Sequence, residues 1–362
     1  MKRESILLIW DRIGDYHYAR VKACEELLGQ DIYTADLAGA DALYKWNSIA
    51  NPKHAVLSVK PAEQSDLINR FRAFRKIVKE RSITTVAMPY GRSEYHVFLL
   101  YARLTGIRTI IFSESWYSRG PVKDFFKSIL LKTLGQRFFV SGQRAFDHFT
   151  NNYKIQPSRI VSGYSVVDNK HFTVSIKDAA SQTEKKNIVC VARYSTEKNL
   201  EMLIRSYVSS ELSKKYTLLL VGDGPLRSEL SNLIQSLAAT DVVKLTGWVT
   251  YNELPQIYAS SACFILPSTF EPWGLVVNEA LAAGLPIILS DVCGCCPELL
   301  EVNKNGYSFS PENAAVCTDV LNTFARLNEE EIRQFGAHSK KLIGHFSPET
   351  WARCILSIIR PA

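Results

Sequence analysis

The sequence predicts an α/β fold made of two Rossmann-like domains, each with a parallel sheet. Short runs rich in Val, Ile and Leu alternate with longer segments of helical period along the whole chain, which is typical of parallel strands covered by helices. A polar segment without periodicity at 173–186 separates two similar sets of runs, as an interdomain linker does. The length of 362 residues also suits two domains of roughly 150 residues each.

The first set of runs predicts an N-terminal domain over residues 1–172. Its strands are expected at 5–10, 55–59, 83–88, 108–112, 137–140 and 159–162. Segments with apolar residues at helical spacing lie between them, at 63–80, 93–105 and 141–153. This alternation predicts a sheet of parallel strands with helices on its faces.

The second set predicts a C-terminal domain over residues 187–345. Its strands are expected at 187–192, 216–221, 242–246, 263–266 and 286–290, and its helices at 197–210, 224–238 and 274–284. A last helix is expected within 346–362, because Ser347 is a good N-cap and Pro348 fits the first helical position. Glu349 then lies at the positive end of that helix.

Composition excludes several classes of protein. With 46% apolar and 22% charged residues, the chain is neither disordered nor fibrous. It contains no run of about 18 apolar residues and no signal-peptide pattern, so a cytoplasmic location is expected. The eight cysteines are too sparse for a disulfide framework. Cys293 and Cys296 form a C-x-x-C motif without a second pair, so a plain loop is expected there rather than a metal site.

The net charge of +7 is unevenly distributed, with a balance of +10 over residues 1–170 and −3 over residues 171–362. Two basic clusters carry much of the surplus: Arg70, Arg72, Arg75, Lys76, Lys79 and Arg81 in one segment, and Arg119, Lys123, Lys127 and Lys132 in another. Because such clusters attract anions, an anionic membrane surface is an expected partner, although solvated helix faces explain them equally well. Nucleic acid is not expected, because no stacking aromatics or recognition modules accompany the clusters.

The segment at 270–280 carries the strongest signal for a ligand site. It follows an apolar strand and opens a helix, so it lies at the carboxyl end of a parallel strand, where α/β sheets bind ligands. Gly274 allows a ligand to approach the backbone, and the amides of Gly274 and Leu275 begin the helix, where a phosphate binds well. Glu279 lies further along the helix, where its carboxylate can accept hydrogen bonds from a ribose diol. Glu271 stays in the loop; in isolation, two such glutamates would more often be surface charges.

Other strand ends supply groups suited to a nucleotide diphosphate. Arg193 and Lys198 follow the strand at 187–192 and provide two cations for a diphosphate. Gly222 begins a tight turn after the next strand, and Trp248 follows the third, where its ring could lie against a base. Each feature alone has an ordinary structural explanation. Their order at successive strand ends predicts one nucleotide-diphosphate site.

The same motifs resemble those of a known family. They are Arg193 with Glu197-Lys198-Asn199-Leu200, Gly222-Asp-Gly224-Pro, Gly247-Trp-Val, Glu271-Pro-Trp-Gly274-Leu-Val-Val-Asn-Glu279 and Gly284-Leu-Pro286. Over residues 187–310 the chain resembles the retaining nucleotide-sugar glycosyltransferases of family 4. These have the GT-B fold, in which two Rossmann-like domains face each other across a cleft. The resemblance implies that the helix at 346–362 crosses back to the first domain.

The resemblance also implies roles for the site residues. Arg193 and Lys198 would hold the diphosphate of the donor, Glu279 its ribose, and Glu271 a hydroxyl of the transferred sugar. The reaction would move the sugar to a glycan or a lipid-linked acceptor with retention of the anomeric configuration, in cell-surface polysaccharide or glycolipid synthesis. The sequence has no Asp-x-Asp motif for a divalent ion, so no metal or other cofactor is expected. Cations and helix amides would then balance the charge of the leaving group.

The first domain matches the family pattern more thinly. Gly14 stands where the family has a glycine-rich donor-binding loop. After the strand at 108–112, where the family often has a histidine, this chain reads Phe112-Ser113-Glu114-Ser115, and His17 and His96 are the imidazoles available to assist.

Other functions are compatible with the same motifs. A nucleotide-sugar hydrolase or epimerase, or a non-catalytic nucleotide-sugar-binding protein, could use the same fold. A nicotinamide oxidoreductase is disfavoured, because neither the loop at 10–15 nor that at 222–227 completes the G-x-G-x-x-G motif. The residues leave the nucleobase, the sugar and the acceptor open.

Overall fold

The computed structural model describes residues 4–28, 31–39, 51–173 and 187–360. The packing separates a first unit, drawn from Met1–Val166 and Pro348–Ala362, from a second unit, Val167–Ser347. The predicted linker at 173–186 lies outside the described residues, apart from Thr173. In the part of the chain that is described, no helix combines the length and the apolar character needed to span a membrane.

The first unit contains a parallel sheet of seven described strands. They are β1 (Ser5–Trp10), β2 (Asp31–Asp36), β3 (His54–Val56), β4 (Thr85–Met88), β5 (Arg108–Ser113), β6 (Arg137–Val140) and β7 (Ile160–Ser162). Their order across the sheet is β3-β2-β1-β4-β5-β6-β7. All six residues of β1 are buried, as expected for a central strand covered on both faces.

The helices of the first unit follow its strands in alternation. They are α1 (Asp15–Leu28), α2 (Leu67–Glu80), α3 (Ser93–Leu104), α4 (Pro121–Leu134) and α5 (Gln143–Asn151), with the last helix of the chain, Pro348–Ile359, packed against α1. Trp351 of this last helix is fully buried, with its ring 5.4 Å from that of Phe139 and 6.1 Å from that of Phe112. The last helix is therefore part of the first unit's core.

The second unit contains a parallel sheet of six described strands. They are β8 (Asn187–Val191), β9 (Thr217–Val221), β10 (Val243–Gly247), β11 (Ser261–Leu266), β12 (Ile287–Ser290) and β13 (Gly306–Phe309), in the order β10-β9-β8-β11-β12-β13. The helices are α6 (Asn169–Phe172), α7 (Leu200–Val208), α8 (Arg227–Ser236), α9 (Leu254–Ala259), α10 (Leu275–Ala282), α11 (Cys296–Leu299), α12 (Ala314–Ala325) and α13 (Glu329–Ile343). We call the final helix, Pro348–Ile359, α14.

Two strands differ from the sequence expectation. β2 and β13 were not predicted, because their sequences, DIYTAD and GYSF, lack the Val, Ile and Leu runs that mark the other strands. β2 pairs with the buried β1, and β13 pairs with the buried β12. Backbone pairing to a central strand therefore sets both, rather than their own apolar content.

Residues 167–172 also differ from expectation, because they pack in the second unit rather than the first. The Asp168 carboxylate caps α6 by accepting the Lys170 and His171 amides. The Asn169 amide group donates to the Ile343 carbonyl at 3.2 Å. Phe172 is buried, with its ring 5.9 Å from that of Tyr258. These contacts fix α6 to the helices of the second unit.

The first basic cluster is smaller than its sequence indicates. Arg70 is fully buried, and its guanidinium Nη1 lies 2.6 Å from the Glu94 carboxylate. Its Nη2 donates to the Pro61 carbonyl at 2.9 Å. Arg70 therefore belongs to the interior of the first unit, while Arg72 and Arg75 on the same helix are exposed.

Candidate functional site

In the second sheet, the strand order changes direction between β8 and β11. From β8 the chain continues outward through β9 and β10, and then crosses to β11, β12 and β13 on the other side. Open α/β sheets bind ligands outside the carboxyl ends of the strands at such a change. The segments that follow β8 and β11, residues 192–199 and 267–274, are therefore the candidate site of this unit.

An ion pair joins these two segments. The Lys198 Nζ lies 2.5 Å from the Glu271 Oε2, with only 18% of the lysine side chain and 10% of the glutamate side chain exposed. The Ser268 hydroxyl donates a further hydrogen bond to the Glu271 Oε2 at 3.3 Å. The Thr269 amide donates to the Glu197 carbonyl at 2.9 Å. The ion pair and this backbone contact together span the point where the strand order changes.

The backbone around each partner is held in place. Lys198 ends a 3₁₀ turn, and Asn199 follows it in the left-handed conformation with φ of 53°. Glu271 forms a backbone bridge with Cys293, and its carbonyl accepts the Gly294 amide at 3.0 Å. Because both partners are anchored through their backbones, the positions of the two charges are organised in advance of any ligand.

The surroundings of Lys198 keep its ammonium group charged. Burial by itself would lower the pKa of Lys198, but the adjacent Glu271 carboxylate outweighs burial and the pKa is raised above its ordinary value. A cation is therefore fixed at the carboxyl edge of the sheet at neutral pH.

The start of α10 lies directly beside this pair. Gly274 precedes the helix with φ of 99°, a conformation that favours glycine. A Cβ at this position would lie 3.3 Å from the Glu271 Cγ and 3.3 Å from the Leu266 side chain. Leu275 is the first helical residue, and the first amides of a helix have no acceptor within it. The predicted phosphate-binding helix start and the ion pair are thus neighbours.

Glu279 is enclosed more completely than the sequence indicates. Its side chain is fully buried, and its Oε2 accepts the Tyr258 hydroxyl at 2.7 Å. α10 is apolar around most of its circumference and is buried from Val277 to Ala282, so Glu279 faces the interior of the unit. Its predicted contact with a ribose stays a prediction.

The other predicted residues of the second unit lie at neighbouring strand ends. Gly222 has φ of 140°, and a Cβ there would overlap the Ala192 carbonyl oxygen, so this glycine allows two strand ends to approach closely. Trp248 follows β10 and is 54% exposed. Arg193 is exposed, and its carbonyl accepts the Ser195 amide at 2.9 Å. Their roles with a ligand stay predictions.

Gly14 lies in the first unit, in the turn between β1 and α1. Its amide donates to the His17 Nδ1 at 3.1 Å, and the neighbouring Ile13 amide donates to the Asp36 carboxylate at 2.7 Å. Burial, together with the charge of Arg20, lowers the pKa of His17 well below its ordinary value. His17 is therefore neutral and fixes the turn.

Sequence reasoning missed a buried polar network at the carboxyl edge of the first sheet. The Tyr164 hydroxyl accepts the Trp10 indole N–H at 2.9 Å, and burial raises the pKa of Tyr164 to about 12. The Ser165 hydroxyl donates to the Glu114 carboxylate at 2.5 Å. Arg20 is also buried and donates from Nη2 to the Val166 carbonyl at 2.7 Å. The one sequence signal is the position of Glu114 directly after β5.

The cysteines after β12 belong to a packed loop. Cys293 and Cys295 are buried, and all three thiols from Cys293 to Cys296 are free. The Sγ of Cys293 lies 3.3 Å from the Ser290 hydroxyl. Among the residues that the structure describes, no group of three or more His, Cys, Asp or Glu side chains is arranged to hold a metal ion.

Comparison with known proteins finds a family model that is similar to the second unit. The model of the family described as "Glycosyl transferases group 1" matches residues 172–342. This match covers just under half of the chain and lies entirely within the second unit. A sulfoquinovosyl transferase of Arabidopsis thaliana is 32% identical over 162 residues, which are 44% of this chain and 30% of that protein. The chain spans about a third of the length of such curated relatives.

Solved structures extend the likeness in fold to nearly the whole chain. The Anabaena protein HepE in complex with UDP has a TM-score of 0.77 at 16% identity, covering 98% of this chain and 99% of HepE. The sucrose-phosphate synthase of Thermosynechococcus elongatus has a TM-score of 0.78 at 16% identity, covering 99% of this chain and 98% of the synthase. The predicted α/β fold of the GT-B type, with two Rossmann-like units, is confirmed.

Proposed function

We propose that this protein is a glycosyltransferase that moves a sugar from a nucleotide-diphosphate sugar to a glycan or a lipid-linked acceptor. The observation that carries the proposal is the buried pair of Lys198 and Glu271, 2.5 Å apart, at the change of strand order and beside the start of α10. The match of residues 172–342 to the group 1 family model and the UDP bound by HepE support a nucleotide diphosphate as the ligand of this site.

The proposed donor would compete with Glu271 for the lysine. A diphosphate at the start of α10 would accept hydrogen bonds from the first helix amides and from the Lys198 ammonium. Glu271 would then turn its carboxylate to a hydroxyl of the transferred sugar, as a positioning residue. Arg193, exposed on the same edge, would supply the second cation.

The same groups would assist departure of the nucleoside diphosphate. Negative charge grows on the phosphate oxygens as the glycosidic bond breaks, and fixed cations and helix amides stabilise that charge without reorganisation. We propose that no divalent ion is needed and that the anomeric configuration is retained, with a donor phosphate oxygen taking the acceptor proton. Trp248 and Gly222 would border the nucleoside. Gly14, in the first unit, would be a further donor-binding residue.

The acceptor and the setting of the reaction follow from the resemblance and are proposals too. We propose that the reaction contributes to the synthesis of cell-surface polysaccharide or glycolipid. It would take place in the cytoplasm or at the inner face of the membrane.

Turnover of radiolabelled nucleotide sugars in the presence of a lipid extract tests the proposal. We expect label to move to the acceptor fraction with the wild-type protein, and at least tenfold more slowly with Lys198→Ala. Lys214→Ala is the matched control, because Lys214 is an exposed lysine of the same unit and should leave transfer unchanged. Release of free sugar alone would indicate a hydrolase, and binding without turnover a sensor; either result contradicts the proposal.

A further inference from the structure

Helix α4 exposes its apolar side to solvent. Val122, Phe125, Phe126 and Ile129 are 67%, 62%, 66% and 49% exposed. They are spaced at i, i+3, i+4 and i+7, which places them on one face of a helix. A surface helix of a globular protein ordinarily turns such a face to the core, so this orientation requires an explanation.

Polar contacts fix the orientation of α4 from its other side. Asp124 and Ser128 are buried. The Asp124 carboxylate accepts the Ser118 hydroxyl at 2.5 Å, and the Ser128 hydroxyl donates to the Tyr153 carbonyl at 2.5 Å. Because these polar groups would lose their partners if the helix rotated, the apolar face is held outward.

Cations border the exposed apolar face. Lys123 and Lys132 are exposed and, at 100° per residue, project on opposite sides of the face. Arg119 is exposed just before the helix. Asp124 is the acidic residue of α4, and it is buried. The solvent side of the helix is therefore both apolar and positively charged.

We propose that α4 is a membrane-docking helix that lies in the interface of an anionic lipid bilayer. Aromatic and aliphatic side chains would enter the boundary between headgroups and acyl chains, and the flanking lysines would contact anionic headgroups. Charge complementarity favours lipid over a second copy of the chain, because two such faces would bring like charges together. This inference is independent of the proposed transfer reaction.

The proposed surface differs from the one that the sequence alone favours. α2 also presents cations, with Arg72, Arg75, Lys76 and Lys79 all exposed. Its apolar residues Phe74 and Val78 are buried, so α2 offers charge without a comparable apolar face. Docking through α4 would therefore combine burial of apolar side chains with electrostatic attraction to anionic lipid. α2 alone would offer only the electrostatic attraction, which salt screens.

Co-sedimentation with vesicles tests the proposal. We expect the wild-type protein to bind vesicles that contain phosphatidylglycerol and to bind vesicles of phosphatidylcholine alone more weakly. The double variant Phe125→Ser/Phe126→Ser should lower the partition coefficient about tenfold or more. Lys123→Glu/Lys132→Glu should lower it on anionic vesicles only.

Matched controls separate docking from misfolding and from charge alone. Val302→Ser removes a 52% exposed apolar side chain from the second unit and should bind like wild type. The α4 variants should keep the wild-type melting temperature, because the altered side chains are exposed. Arg75→Glu/Lys79→Glu should weaken binding less than the phenylalanine variant does.

Three results would overturn the proposal. One is wild-type binding by Phe125→Ser/Phe126→Ser. Another is a wild-type dimer that this variant converts to a monomer, with no vesicle binding by either. The third is an equal loss of binding with Val302→Ser. Since no donor or acceptor is present in the assay, failure of transfer does not affect its outcome.

Discussion

The Lys198 ammonium and the Glu271 carboxylate form an ion pair of 2.5 Å between the segments that follow two adjacent strands, β8 and β11. These strands flank the change of strand order in the second sheet. The pair thus occupies the place where α/β sheets bind ligands, and each charge has the other as a partner.

Breaking this pair from one side should destabilise the second unit. We expect Lys198→Met to lower the free energy of unfolding by about 2–4 kcal/mol, because it leaves a mostly buried carboxylate without its cation. Lys214→Met should cost less than about 1 kcal/mol, because its pair with Glu211 is exposed. Urea unfolding measures both. A smaller loss in Lys198→Met/Glu271→Gln than in Lys198→Met is expected, and a strictly additive loss would show that the two groups do not interact.

Substitution at Gly274 should disturb the same place through the backbone. Gly274→Ala places a side chain at φ of 99° and a Cβ 3.3 Å from the Glu271 Cγ. We expect it to cost about 1–2 kcal/mol and to weaken nucleotide binding. Gly91→Ala is the control, because nothing lies within 4 Å of a Cβ there. Equal stability of the two variants, measured by thermal unfolding, would argue against a strained helix start.

The contact between Tyr258 and Glu279 makes a separate prediction. Tyr258→Phe removes a hydroxyl that donates to a fully buried carboxylate at 2.7 Å, so we expect the free energy of unfolding to fall by about 1–3 kcal/mol. Tyr18→Phe, at an exposed tyrosine, should change it little. A stability for Tyr258→Phe equal to that of the control would show that this hydrogen bond is not important for folding.

His17 should make stability depend on pH. Burial, with the charge of Arg20, holds the folded pKa of His17 well below its ordinary value, which is about 6.5 in an unfolded chain. As pH falls below about 6.5, the unfolded chain binds the proton first, so the free energy of unfolding falls by up to about 1.4 kcal/mol per pH unit. The loss levels off below the folded pKa. His17→Asn should flatten this slope between neutral and mildly acidic pH in urea unfolding; an unchanged slope would assign the dependence to other groups.

The sequence predicted most of the residues at the carboxyl edge of the second sheet, but not which of their side chains contact each other. Apolar runs located β8 to β12, and the residues that follow them were recognised from strand-to-helix order. The contact of Lys198 with Glu271 joins residues 73 positions apart, so it depends on the order of the strands in the sheet. The burial of Glu279 depends in the same way on how α10 packs against Tyr258.

The remaining differences between prediction and structure lie in residues whose polar or apolar character does not reveal whether they are buried. β2 and β13 carry too few apolar residues to be recognised, and their pairing with buried neighbours makes them strands. Arg70 is indistinguishable in sequence from the exposed arginines beside it, yet Glu94 makes its burial tolerable. The apolar spacing in α4 does not by itself specify whether that face of the helix turns toward the core or toward solvent.

The most direct test of the account is the binding of a nucleoside diphosphate in the presence of a chelator. UDP, GDP, ADP and dTDP would first be ranked by thermal shift, and the best of them titrated calorimetrically into wild type, Lys198→Ala and Lys214→Ala, with and without EDTA. The account predicts that EDTA changes nothing, that Lys198→Ala raises Kd roughly ten- to hundredfold, and that Lys214→Ala binds like wild type. Unchanged affinity in Lys198→Ala, or loss of wild-type binding in EDTA, would contradict it.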